Sequence, residues 1–108
     1  MRINLLTVPE EIDVCDFLNN NPCLKEVVGQ ILEEYVRASD IHQFPTDVVH
    51  AASIVAEEAG ELLRSANTIE WGGDSPFERD NLQTEAVQTG AMAIRFLENI
   101  GNLKAEGC

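Results

Sequence analysis

The chain has 108 residues, room for one domain but not for two independent cores. Its hydrophobic share of 44% is ordinary, but 19 Asp and Glu against 7 Lys and Arg leave a formal net charge of -12. That field repels nucleic acid and anionic bilayers, which excludes both as partners, and it repels phosphate compounds unless a divalent cation bridges them to the protein.

The chain does not open on a basic segment followed by an apolar one, as a secretory signal would. The longest charge-free stretch on an expected helix, Ala86 to Ile94, falls far short of a membrane span. The expectation is a cytoplasmic protein. Cys15, Cys23 and Cys108 are odd in number and lack paired metal-ligand spacing, so they read as reduced thiols; a Cys15–Cys23 disulfide is compatible with the sequence but not required by it.

In chain order, residues 1–22 read as an N-terminal extension, 23–102 as an all-α helical domain and 103–108 as a frayed tail. Arg2 to Leu6 suit an extended segment. Thr7, Pro9 and Glu10 suggest the start of a short helix reaching about Leu18. Asn19 to Asn21 break it, and Pro22 can open the next element.

The first long helix is expected from Cys23 to Ala38, with Leu24, Val28, Ile31, Leu32 and Tyr35 at helical spacing. A linker from Ser39 to Pro45 follows, and Thr46 or Asp47 can cap what comes next. The second long helix is expected from about Asp47 to Ile69, with Val48, Ala52, Val55, Ala59, Leu62 and Ala66 as its stripe. Trp71 to Pro76 read as a turn-rich break. The third long helix is expected from Phe77 or Arg79 to Ile100, closed by a left-handed cap at Gly101 and Asn102. Its core stripe reads as Leu82, Ala86, Ala93, Leu97 and Ile100, with Val87, Ala91 and Ile94 on other sides. A helix apolar nearly all round seeks cover on several sides, so an antiparallel helical bundle completed by oligomerisation is expected, a homodimer or homotetramer.

Two helical pairs carry the chemistry. Glu58 and Glu61 lie one turn apart, about 60° around the second long helix, at the edge of its stripe. Glu85 and Gln88 repeat that geometry on the third. If the two helices pack antiparallel, all four meet at one seam. Carboxylates so placed repel each other, and oxygen-rich clusters suit hard cations such as Mg2+ or Mn2+. The plainer alternative is that Glu57, Glu58 and Glu61 form a solvated face, as most glutamate runs do. Spacing alone names no substrate.

The run Ile54-Val55-Ala56-Glu57-Glu58-Ala59-Gly60-Glu61-Leu62-Leu63 resembles the Glu-Glu-x-x-Glu motif of the MazG-like all-α NTP pyrophosphatase superfamily, and Glu85-Ala86-Val87-Gln88 resembles its second motif, Glu-x-x-Asp. The resemblance spans about Leu24 to Ile100. It implies hydrolysis of a nucleoside triphosphate to a monophosphate and pyrophosphate, with Mg2+ (or Mn2+) as cofactor. It also implies Glu57, Glu58, Glu61 and Glu85 as the catalytic acids, with Glu58, Glu61, Glu85 and Gln88 as metal ligands and Glu57 either supporting the ligands from behind or acting as a base that orients water. Gln88 departs from the family aspartate: its amide carbonyl can coordinate a hard cation but brings no charge and cannot act as a base. For substrate contacts the expectation names Arg95, Asn81 and Asn99 on the Gln88 side of the helix, and Trp71 for stacking on a base. Each has a structural alternative: an ion pair for Arg95, the helix end for Asn99, and packing between helices for Trp71. His50 can approach phosphate or a neighbouring subunit, with a solvent-facing position as its plainer alternative; Tyr35 and Phe44 read as core, and His42 has no assignment. The competing functional reading, favoured by Gln88, is a non-catalytic helical oligomer serving as a nucleotide-binding or protein-interaction module. A di-iron carboxylate bundle is disfavoured because Glu-x-x-His pairs are missing.

Overall fold

The computed structural model describes residues 12–105, and the segments expected around Arg2 to Leu6 and at Thr7, Pro9 and Glu10 lie outside them. Four α-helices follow one another: α1 (Val14–Asn19), α2 (Pro22–Ile41), α3 (Val48–Gly72) and α4 (Pro76–Glu98), closed by a short 3-10 turn at Ile100–Asn102. Among the described residues there is no β-sheet, so the fold is an all-α bundle.

Local chemistry fixes the helix starts. The Asp13 carboxylate accepts from the Asp16 amide, Asp47 from the His50 amide and the Ser75 hydroxyl from the Glu78 amide, each satisfying a first-turn donor. Pro22 and Pro76 occupy first helical turns, where the missing N–H costs nothing. Several ends differ from expectation. α2 runs on through Ser39, Asp40 and Ile41, and α3 runs through Trp71 and Gly72, because nothing there breaks the backbone until Gly73, whose φ of 122° ends the helix. Gly101 does not take a left-handed cap. Instead Asn99, at φ -96° and ψ 3°, ends α4 and leads into the 3-10 turn. Lys104 is held as well: its amide donates to the Thr46 carbonyl (2.7 Å) and its carbonyl accepts from the Val48 amide (2.8 Å), tying it to the start of α3.

α4 is the central element. It packs against α3 on one side and α2 on the other, while α1 lies on α2. Ile54 and Val55 of α3 pack beside Ala91 and Met92, and Glu58 approaches Glu85, so α3 and α4 are antiparallel. Gln83 Nε2 donates to Gln30 Oε1 at 2.8 Å and Tyr35 donates to the Glu98 carboxylate, so α2 runs the same way as α4. The core is Ala38, Ala91 and Met92, flanked by Ile31, Tyr35, Ile54 and Val55.

The expected stripes are rotated. On α3 the buried face carries Ala51 with Ile54, Val55, Glu58, Glu61 and Leu62, whereas Ala52 and Ala59 face out. On α4, Ala91, Met92 and Arg95 are buried, while Ala86, Leu97 and Ile100 are exposed. On α2, Leu24 and Leu32 are exposed, and Val28, Ile31 and Tyr35 turn inward. Close approach is the reason. A Cβ built on Gly90 would lie 3.1 Å from Ile31 Cδ1, so the α2–α4 crossing demands small residues at Gly90 and Ala91 and turns the bulkier Leu97 outward.

Candidate metal centre

Rotation of the α3 stripe brings two acids inward. Glu58 and Glu61 sit on the half-buried face of α3, and Glu85 meets them from α4, each offering a carboxylate oxygen within 4.8 Å of the others. Three oxygens from two antiparallel helices are thus gathered at one seam. Glu58 Oε2 and Glu85 Oε2 are buried and have no hydrogen-bond partner. Unpartnered buried carboxylate oxygens are costly, and the cost is relieved only by a proton, a cation or a donor.

The electrostatics agree with the geometry. Burial first, and then the neighbouring Glu61, Glu85, Glu57 and Glu34, push the Glu58 carboxyl above the ordinary carboxylate range. Burial also raises Glu85, reinforced by the carboxyl of Glu61 beside it and opposed by Arg64. The donor set is all oxygen and acidic, which suits Mg2+, Mn2+ or Ca2+ better than soft metals.

The other expected site residues take several positions along α3 and α4. Glu57 is exposed and lies outside the triad. Gln88 is half-buried and lines the grooves between α4 and α2 together with Glu34. Arg95 is 6% exposed; its Nη2 donates to the His42 carbonyl at 2.5 Å and its guanidinium stacks 5.1 Å from the Phe44 ring centroid. Among the described residues it forms no ion pair, contrary to the surface pairing expected as its structural alternative. Asn99 donates from Nδ2 to the Arg95 carbonyl at 2.8 Å and serves as the cap of α4, so its side chain is spent on the helix end. Asn81 is exposed and lines neither groove beside α4. Trp71 is 83% exposed, which removes it as a packing anchor within one chain, and it stands about 20 Å along α3 from Glu58. Phe44 is buried and Tyr35 packs on the core, as expected. Cys15 and Cys23 are free thiols.

A groove of about 420 Å³ opens beside the triad between α2 and α3, over α4. Glu58 and Gln88 stand in its lining together with Arg95, Arg37, His42 and His50. Glu34 and Arg37, joined by a bidentate pair at 2.9 and 2.5 Å, belong to this site but carry no motif that sequence reasoning could seize. Their i,i+3 spacing is the one trace, and it is shared by many surface pairs. No helix of the described residues is long and apolar enough to cross a membrane. Comparison of the chain with protein-family models, with curated proteins and with solved structures gives no match in any of the three.

Proposed function

We propose that the chain is a divalent-cation-dependent nucleoside-triphosphate pyrophosphohydrolase of the MazG-like all-α kind, acting as a homodimer or homotetramer. The observation that carries this reading is the meeting of Glu58, Glu61 and Glu85 from two helices, with two buried carboxylate oxygens lacking partners. Glu58, Glu61 and Glu85 would hold the cation. A hard divalent ion, when bound there, would supply Lewis acidity and lower the pKa of a water beside it. Water held at the seam would add to the phosphorus at one end of the α–β anhydride and release a proton to solvent, while that phosphorus–bridging oxygen bond breaks and its electron pair leaves with pyrophosphate. The carboxylates fix the geometry and balance the ion's charge. Glu57, one position from Glu58 and exposed, shapes the field at the seam without entering it. The charge of -12 then ceases to be an obstacle, because the substrate arrives as a cation complex.

Incubation of the purified protein with Mg2+ and a panel of nucleoside triphosphates is expected to release pyrophosphate. Glu58→Gln and Glu61→Gln are expected to abolish release with helicity intact. Absence of pyrophosphate from every nucleotide, with Mg2+ and with Mn2+, overturns the enzymatic reading.

A second reading rests on Gln88, which supplies neither charge nor base where the resemblance expects an aspartate: a helical oligomer that binds nucleotide, or another protein, without turnover. Calorimetry with Mg2+ and a non-hydrolysable nucleotide separates the two, since binding without pyrophosphate release favours a nucleotide sensor.

A further inference from the structure

The groove beside the triad is electrically divided. Only 7 Lys and Arg occur in the sequence, yet Arg37 and Arg95 both line this groove, and so do both of the chain's histidines, His42 and His50. Glu58 stands in the same lining and connects the groove to the acidic seam.

Arg95 is the unusual member. Arginine is seldom buried without a carboxylate, because desolvating the guanidinium is costly. Among the described residues its side-chain partners are one carbonyl and one ring face, although the side chain has five donors. A cation fixed in this way favours an anion entering the groove, and its planar fork matches phosphate oxygens. Arg37 lines the same groove from α2, paired with Glu34 while its side chain is 56% exposed, so its charge can be shared with an arriving ligand.

Gln88 completes the set. It precedes Arg95 by seven residues on α4, which places the two about 20° apart around the helix and about 10 Å apart along it. Its amide carries two N–H donors. A carboxylate at this position would add negative charge between Glu58 and Arg95, and would compete with phosphate for the guanidinium.

Resting on the cation site proposed above, we propose that Arg95, Arg37 and Gln88 form the subsite for the phosphate chain of a cation-bound polyphosphate, with Gln88 donating to phosphate oxygen instead of ligating the metal. A phosphate chain with a divalent ion at one end and bare oxygens beyond it matches a groove that is acidic at Glu58 and basic at Arg95, with the Glu34–Arg37 pair on its α2 wall. A volume near 420 Å³ falls within the range of small-ligand sites.

The test uses inorganic pyrophosphate as probe, titrated with and without Mg2+, and the imidazole NMR signals of His42 and His50 as reporters. Single His→Gln variants assign the two signals. Pyrophosphate with Mg2+ is expected to shift them saturably. Arg37→Gln, a surface change that leaves the core intact, is expected to weaken pyrophosphate binding about fivefold or more. Gln88→Glu is expected to weaken it about tenfold or more while Mg2+ alone binds as well as before or better. Arg95→Gln is expected to lose pyrophosphate binding, with circular dichroism as a check that it folds. Unshifted histidine signals overturn the subsite, as does wild-type pyrophosphate affinity in both Arg37→Gln and Gln88→Glu. A Gln88→Glu variant that binds Mg2+ more tightly and pyrophosphate equally well returns Gln88 to the metal ligands. The cation reading fails separately: Mg2+ alone then produces no heat and no thermal shift, whatever pyrophosphate does to the histidines.

Discussion

Burial and mutual repulsion hold the Glu58 and Glu85 carboxyls above the ordinary carboxylate range, so folding favours their protonated forms. Stability from such groups is complete below about pH 4.3, the value in an unfolded chain, and is lost as pH rises through their folded values. The cation-free protein is therefore expected to melt at a lower temperature at pH 8 than at pH 5, and Mg2+ is expected to recover the loss by binding the ionised form. Glu85→Gln removes one of the repelling charges. In EDTA at pH 8 it is expected to melt a few degrees above the wild type, with little difference at pH 5 and no response to Mg2+. A variant melting below the wild type in EDTA at pH 8 would show that the triad is stable by itself and needs no ion. The pairing of Glu58 and Glu61 with Glu85 was legible because helical spacing fixes neighbours one turn apart. Arg95 was only half legible: spacing placed it on the Gln88 side, but burial beneath Phe44 depends on the 42–47 connection, which carries no periodicity.

Helices were legible because caps and breakers are local. Pro22 and Asp47 mark helix starts that their own chemistry dictates, and Gly73 marks a stop through its φ of 122°. The buried faces were less legible. α4 is held between two helices, and its orientation follows the close approach of Gly90 to Ile31 more than its apolar stripe. That crossing makes a prediction of its own. Gly90→Leu must push α2 from α4 and is expected to destabilise the fold by about 1–3 kcal/mol in urea titrations. A Cβ at Gly90 would meet Ile31 at Cδ1 (3.1 Å), Cγ1 (3.4 Å) and Cγ2 (3.5 Å); in Gly90→Ala the tight contact is with the flexible Cδ1, and Ala's helix propensity, about 1 kcal/mol better than Gly, offsets the squeeze. Its midpoint is expected to lie near that of the wild type. Equal midpoints for Leu and Gly at this position would mean that α2 is not seated on α4 in solution.

A single copy leaves much of its apolar surface in water. Ile12, Val14, Val36, Val49, Phe77 and Leu97 are all more than half exposed. Among the described residues no large side chain is fully buried, and Leu63 and Trp71 stand 61% and 83% exposed, two turns apart on α3. Apolar residues so placed are expected to be covered by another copy, which is the physical content of the oligomer proposed above. Sedimentation equilibrium at micromolar concentration is expected to give a mass at least twice 11.9 kDa. Leu63→Asp combined with Trp71→Asp is expected to shift that mass toward the monomer while helicity is retained, because neither side chain belongs to the core of one copy. A wild-type protein that sediments as a monomer refutes the assembly and leaves the three carboxylates to be judged alone. A doubly substituted protein that stays oligomeric moves the interface to another face, where the exposed Leu97 and Ile100 at the end of the bundle would be the next residues to change.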